Sequence, residues 1–277
     1  MVYKGKNVET GDIVAIKKMV IAEGDEGVKN SAIREVAISK AVNHPNCVRM
    51  LDAIADPQDN AVYCIYEFMP MDLRSYLRQN PRLTEDAVRR IVRQVLEGLG
   101  YLHRCDIIHR DVKPHNVLID PQTLKCKVID FGLARQFSTQ PTAMSCSCGT
   151  KFFLAPEMML GNAKYTKAVD VWGAGLIMSQ LFCNKYVFPC KENEEGLMRI
   201  YELLGSPTGA ALERARATPR WDARYEGHKA AGVGDFLGSA SETARDLFAK
   251  LCDIDWTTRI TCDEALKHPW FSEQGVE

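Results

Sequence analysis

The chain has 277 residues, 46% of them hydrophobic and 26% charged, which is enough to bury a sizeable core as one large domain or two lobes. Lys and Arg number 35 against 36 Asp and Glu, and a net charge of −1 gives no electrostatic case for nucleic acid or an anionic membrane as a partner. No apolar run is long enough to span a bilayer and no signal peptide is legible, so the expected setting is cytoplasm or nucleus. The ten cysteines are scattered and agree with a reducing compartment; Cys146 and Cys148 flank Ser147 on a loop, but no second Cys/His pair is spaced to complete a zinc site.

In chain order, Val2 to Lys6 and Ile13 to Val20 read as strands joined by a Glu9-Thr10-Gly11-Asp12 turn. A helix is expected from about Ser31 to Val42, with Ile33, Val36, Ala37 and Ala41 at helical spacing. Strands at Val48 to Ala55 and Val62 to Tyr66, around the polar turn Pro57-Gln58-Asp59-Asn60, complete a small sheet. Thr84, followed by Glu85 and Asp86, starts the clearest helix, in which Val88, Ile91, Val92, Val95, Leu96, Leu99 and Leu102 form one stripe of pure core. Beyond it the apolar runs Ile107-Ile108 and Val117-Leu118-Ile119 flank a turn that presents a carboxylate (Asp111), an ammonium (Lys113) and an amide (Asn116). After Asp130-Phe131-Gly132 comes a polar stretch with Ser138, Thr139, Thr142, Ser145 and Ser147, the composition of a mobile loop.

The string His109-Arg110-Asp111-Val112-Lys113-Pro114-His115-Asn116 followed by Asp130-Phe131-Gly132 spells H-R-D-x-K-x-x-N and D-F-G, and on these motifs the chain resembles a eukaryotic protein kinase. The resemblance implies an α+β, two-lobed fold over 1–277: a small antiparallel-sheet lobe with the hinge (1–69), a larger, mainly helical lobe (70–277) and an activation segment (130–157). It implies transfer of the γ-phosphoryl of Mg-ATP to Ser or Thr of protein substrates, a reaction that needs positioning and charge neutralisation more than a covalent nucleophile. Asp111 would meet the substrate hydroxyl and Lys113 neutralise the moving phosphoryl, while Asn116, five residues on, would share a magnesium ion with Asp130. Val14-Ala15-Ile16-Lys17 matches V-A-I-K, whose lysine contacts the α- and β-phosphates and pairs with a helical glutamate, here Glu35. Val2, Ala15 and Leu118 would sandwich adenine, and backbone groups of Glu67 and Met69 would bond its edge behind a Tyr66 gatekeeper. Asp72 either faces the ribose or caps a helix. His109 reads as a packing residue beneath Phe131.

Lys29-Asn30-Ser31-Ala32-Ile33-Arg34-Glu35 resembles the P-S-T-A-I-R-E helix of cyclin-dependent kinases, with Lys29, Asn30 and Ser31 in place of Pro, Ser and Thr, and so implies a cyclin-like activating subunit. By the same likeness Ser145 takes the place of the activating phosphothreonine, and Arg34, Arg110 and Arg135 fit the clamp that would hold its phosphate. The chain departs from that branch where W-Y-R-A-P-E becomes Phe152-Phe153-Leu154-Ala155-Pro156-Glu157, which leaves proline-directed specificity open; Thr150 matches the position that bonds the catalytic Asp and Lys in Ser/Thr kinases. Asp170-Val171-Trp172-Gly173-Ala174-Gly175 should open a buried helix, and Glu157 should pair with Arg259. Leu203-Leu204-Gly205-Ser206-Pro207 precedes a Gly/Ala-rich stretch, Thr208 to Gly238, that reads as a loop-rich insert, and Ala265 to Phe271 reads as the family's closing helix.

The first strand and the glycine-rich loop of the kinase pattern have no counterpart before Met1-Val2-Tyr3. A truncated or misassigned start and a natural variant with impaired nucleotide binding both fit, and the second opens a non-catalytic reading: a pseudokinase that docks a partner through residues 29–35. Within enzymes, Val112 to Val117 looks rather like casein kinase II, although Phe131 stands where that family has Trp.

Overall fold

The computed structural model describes residues 1–20, 26–137, 144–146 and 148–272, so that Ser138, Thr139, Thr142 and Ser147 lie outside the described residues. The side chains of 26–31, and with them those of Lys29, Asn30 and Ser31, lie outside as well. The β-branched runs near the N-terminus form β1 (Val2–Lys6) and β2 (Ile13–Val20), which pair antiparallel with Val2 opposite Lys17. Gly11 takes φ +79° in the connecting turn, where the Asn7 side chain accepts from the amides of Glu9 and Thr10. Helix α1 (Glu26–Ala41) precedes β3 (Met50–Asp56) and β4 (Ala61–Glu67), and the sheet order is β1-β2-β4-β3.

Helix α1 corrects the sequence reading twice. It starts about five residues before the expected Ser31, because the apolar period used to find it is absent from the first turns. Its buried side is also not the one that the periodicity picked. Of the expected set Val36 packs against the core, but Ile33 is 63% exposed and Ala37 and Ala41 are exposed, while Ala32, Glu35 and Ser39 face inward. Polar groups can occupy that inner face because each meets a partner: Glu35 takes the Lys17 ammonium, and the Ser39 hydroxyl lies 3.4 Å from that of Tyr66.

The hinge leads into β5 (Met71–Asp72), α2 (Leu73–Gln79) and α3 (Glu85–Arg104). Thr84 caps α3 by accepting from the Ala87 amide, and all seven stripe residues are 0–1% exposed, a burial that contributes on the order of 10–20 kcal/mol before chain entropy is charged against it. Short strands β6 (Ile107–Ile108), β7 (Val117–Ile119), β8 (Cys126–Val128) and β9 (Arg135–Gln136) follow; β7 pairs with β5 and β8, and β6 with β9. The helical region continues with α4 (Pro156–Met159), α5 (Ala168–Cys183), α6 (Asn193–Leu204), α7 (Gly209–Arg216), α8 (Gly234–Leu237), α9 (Glu242–Leu251) and α10 (Cys262–Ala265). Helix α5 is buried almost throughout, and Gly173 on it is required by close approach: a Cβ there would meet Val112 Cβ at 2.7 Å.

Two expectations in this region need correction. The insert expected to be loop-rich contains α7, because Ala210, Ala211, Leu212, Glu213 and Arg214 are all strong helix formers. The expected closing helix over Ala265 to Phe271 is instead the end of α10 and a 3₁₀ turn, Pro269–Phe271, since Pro269 cannot continue a helix. Among the described residues no helix is long and apolar enough to cross a membrane. All ten cysteines are free thiols, and burial pushes those of Cys47 and Cys126 up to about 12.

Candidate active site

The turn after β6 is shaped by one buried carboxylate. Asp170, at the start of α5 and 1% exposed, accepts from the His109 amide and the Arg110 amide at 2.8 Å each, and from His103 Nε2, also at 2.8 Å. Arg110 sits at φ +69°, a conformation costly for a non-glycine residue, and the two bonds to Asp170 hold it there. Burial alone would raise the Asp170 pKa, but His103 and the backbone donors outweigh it and hold the carboxyl below its usual range. His109 is fully buried, as expected of a packing residue. Its Nε2 lies 2.8 Å from the Ile129 carbonyl, its Nδ1 accepts from the Asp111 amide, and its ring meets the edge of Phe131 at 5.9 Å.

On that frame four side chains converge. Lys113 Nζ donates to Asp111 Oδ2 at 2.6 Å and to the Thr150 hydroxyl at 2.7 Å, and that hydroxyl donates to Asp111 Oδ1 at 3.0 Å. Asn116 Nδ2 donates at 2.8 Å to both the carbonyl and Oδ2 of Asp111. Asp111 is 8% exposed, so its two oxygens are aimed by neighbours rather than by water.

A cavity of about 440 Å³ opens beside this cluster. It is lined by Val2, Ala15, Lys17, Glu35, Glu67, Met69, Asp72, Leu118, Asn116 and Asp130, the whole set for which the sequence reading expected nucleotide and metal contacts. Lys17 is central: its Nζ donates to Glu35 Oε1 at 2.5 Å and to Asp130 Oδ1 at 2.9 Å. Burial works to lower the Lys17 pKa, but the charges of Asp130 and Glu35 prevail and raise it. The same ammonium holds Asp130 below the usual carboxylate range against its own burial. A Cβ at Gly132 would stand 3.0 Å from Glu35 Oε2 and 3.4 Å from Asp130 Oδ1, so a side chain there would press on both carboxylates. Of the two alternatives for Asp72 the structure shows the cap: it accepts from the Ser75 amide and hydroxyl at the start of α2, at the edge of the cavity that it helps to line. The Glu67 carboxylate accepts from the Arg49 amide and pairs with Lys127, its amide donates to the Arg49 carbonyl at 3.1 Å, and Met69 lies beyond the end of β4.

The donor set suits a hard divalent cation that arrives with other ligands. Asp130, with a side chain 42% exposed, offers carboxylate oxygens, and Asn116, whose Nδ2 is committed to Asp111, offers Oδ1. Among the described residues no group of three or more His, Cys, Asp or Glu is placed to hold a metal by itself. Two oxygen ligands from the protein, completed by water and phosphate, is the pattern that fits magnesium.

A family model described as the protein kinase domain matches residues 1–271. The chain belongs to that family. As a protein kinase domain it is a phosphotransferase that uses ATP and acts on proteins, and its antiparallel-sheet N-terminal region and helical C-terminal region carry the expected α+β fold.

Elsewhere in the kinase domain, Arg110 Nε donates to the Leu133 carbonyl at 2.6 Å and its Nη1 to the Tyr165 hydroxyl at 2.8 Å, and that hydroxyl donates to the Ser145 carbonyl at 3.0 Å. Arg135 lies opposite Ile108 in the β6–β9 pair, and its Nη1 is buried without a hydrogen-bond partner among the described residues. Arg34 is half-buried on α1, which packs against the turn Phe131–Leu133. Leu154 is 7% exposed, and Phe152 and Phe153 lean on the Tyr186 ring.

Sequence reasoning did not single out Val48, Phe68, His115 or Ile129, all of which line the cavity. Only His115 carried a signal, its place beside Asn116. Burial lowers its pKa, Asp72 opposes this, and the charges of Lys113, Arg74 and Arg78 add to the lowering. Asp170 had been read as opening a buried helix and His103 was not singled out, with nothing in the sequence to show that they meet.

Proposed function

We propose that this kinase is a serine/threonine kinase of cyclin-dependent-kinase-like type that transfers the γ-phosphoryl of Mg-ATP to protein hydroxyls. The observation that carries the reading is the triangle of Thr150, Lys113 and Asp111, in which one hydroxyl bonds both the carboxylate and the ammonium. Asp111 orients the acceptor hydroxyl and takes its proton, general-base work that contributes typically 10²–10⁴-fold. Lys113 offers positive charge beside that carboxylate, where negative charge builds on the phosphoryl in flight. Lys17, held by Glu35, aligns the α- and β-phosphates, and Val2, Ala15 and Leu118 clasp the adenine while the backbone of Glu67 and Met69 bonds its edge. Asn116 and Asp130 hold magnesium, which when bound neutralises phosphate charge. In a radiolabelled-ATP assay with a Ser/Thr acceptor protein, Asp111→Asn is expected to lower kcat by about 10²–10⁴-fold. Turnover unchanged by that substitution would sink the reading.

Two controls fit the same site. Phosphorylated Ser145 would meet Arg34, Arg110 and Arg135; the unpartnered Arg135 Nη1 and the tie from Arg110 through Tyr165 to the Ser145 carbonyl support this. Bonds to a charged group contribute roughly 1.5–3 kcal/mol each, and two or three reach the roughly 5.5 kcal/mol that moves a switch from mostly off to mostly on. A cyclin-like subunit would cover the outer side of α1, where Ile33 stands 63% exposed, and would find further apolar surface on β3, whose Leu51 and Ile54 are 49% and 51% exposed. A Ser145→Ala protein assayed with its partner should lose most activation; full activity would remove Ser145 from the switch.

A further inference from the structure

Beside the catalytic loop one buried hydroxyl bonds two segments at once. Tyr165 lies between α4 and α5 and is 1% exposed. Its oxygen accepts from Arg110 Nη1 at 2.8 Å, and its O–H donates to the Ser145 carbonyl at 3.0 Å. A hydroxyl that accepts from a guanidinium is polarised by that charge and becomes a stronger donor on its other side. The ring by itself serves the core, so the oxygen is what joins the catalytic loop to the activation segment.

From Ser145 the tie reaches the reacting groups in short steps. The Cys148 thiol, a weaker donor, bonds the same carbonyl at 3.2 Å. Gly149 follows at φ +97°, a conformation that suits glycine, and it lies so close to the catalytic loop that a Cβ on it would stand 2.9 Å from the Arg110 carbonyl oxygen. Thr150 is next, with its hydroxyl 3.0 Å from Asp111 Oδ1 and 2.7 Å from Lys113 Nζ. A further tie, from the Met144 amide to the Ala163 carbonyl at 2.9 Å, joins the segment to the loop before Tyr165 and not to the catalytic loop.

We propose that Tyr165 is a positioning residue for phosphoryl transfer: its hydroxyl holds Ser145 beside Arg110, and by that hold keeps the Thr150 hydroxyl on Asp111 and Lys113. It touches no substrate and acts through Thr150. The inference rests on the serine/threonine-kinase reading above, which the Thr150 triangle carries. None of these bonds involves a phosphate, so the hold exists before Ser145 is phosphorylated.

The test compares wild type with Tyr165→Phe, which keeps the ring and removes the oxygen. Losing the hydroxyl-to-carbonyl bond is expected to lower kcat by about 3- to 10-fold. KM for ATP should stay at the wild-type value, since Tyr165 is not among the residues that line the nucleotide cavity. In a Thr150→Val background the same substitution should change kcat by less than about 1.5-fold, because the group it acts through is already gone. A merely structural role would lower kcat equally with and without Thr150. Hydrogen exchange of the peptide from Met144 to Thr150, read by mass spectrometry without nucleotide, should be faster in Tyr165→Phe than in wild type. An unchanged kcat, an equal loss in both backgrounds, or exchange that matches wild type overturns the proposal. If wild type phosphorylates no acceptor protein, the kinase reading fails, and exchange alone decides the hold: faster exchange in Tyr165→Phe supports it and equal exchange removes it. Tyr165→Phe strands one buried guanidinium donor. If circular-dichroism melting shows that it does not fold, Arg110→Met/Tyr165→Phe, in which both partners are apolar, is compared with Arg110→Met. The same rise in exchange is expected across that pair, and its absence ends the proposal.

Discussion

Two of the ion pairs in this chain, Glu157–Arg259 and Lys17–Glu35, are built in opposite ways. Glu157 and Arg259 meet at 2.7 and 3.0 Å with both side chains 0% exposed, and Arg259 also donates to the carbonyls of Asp253 and Ala168. Lys17 and Glu35 meet at 2.5 Å with side chains 26% and 7% exposed, on the wall of an open cavity, and Lys17 divides its donors between Glu35 and Asp130. The enclosed pair has nowhere else to go, so it is kept or lost with the fold. The open pair has a second carboxylate in reach and water beside it, so it can be made and broken while the molecule stays folded. Removing one partner of the first kind strands a buried charge and destabilises the fold, whereas a pair of the second kind is suited to regulation.

The contrast predicts different losses. Glu157→Gln leaves the Arg259 charge buried without its counter-ion and should destabilise by about 3–5 kcal/mol, read as a fall in the denaturant midpoint, with turnover per folded molecule retained. A midpoint shifted by less than a fifth of that would mean that Arg259 finds compensation elsewhere. Lys17→Met should do the reverse: kcat falls by about 10²–10³-fold, the scale for removing one pre-organised charge donor, while the midpoint moves little. If Lys17→Met unfolded the protein instead, the open pair would be structural too, and the distinction would collapse.

The smallest effect sharpens the comparison from the acid side. Asp170 has its folded pKa depressed from the ordinary 3.8, so it contributes stability that is fully present above that value and is lost as pH falls through the lower folded value. Asp170→Asn should therefore be less stable than wild type at neutral pH, and the gap should narrow as an acid titration passes below about pH 4. A gap that stayed constant down to pH 2 would show that the carboxylate's charge is not what holds the catalytic loop.

Where local pattern and tertiary role coincide, the sequence could be read closely. The stripe from Val88 to Leu102 needs only a 3.6-residue period, and it is buried as expected; the hairpin of β1 and β2 needs only alternation and a turn, and its strand limits agree. Helix α1 shows the opposite case. Periodicity picks Ile33, Val36, Ala37 and Ala41, of which Val36 packs against the core, yet the inner face carries Glu35 and Ser39, because their partners Lys17 and Tyr66 lie 18 and 27 residues away and no local window contains them. The same limit hid Asp170 as the anchor of Arg110, a contact across 60 residues.

The order of chemical groups along the chain, the carboxylate, ammonium and amide within one turn and the lysine on an apolar strand, was written in the sequence by itself, since spacing within a turn or a strand is fixed by backbone geometry. Which side of α1 faces the cavity and which carboxylate holds Arg110 in its left-handed conformation were decided only by the folded molecule. Those outcomes depend on burial and on pairing between remote segments, and neither exists until the chain has closed around them.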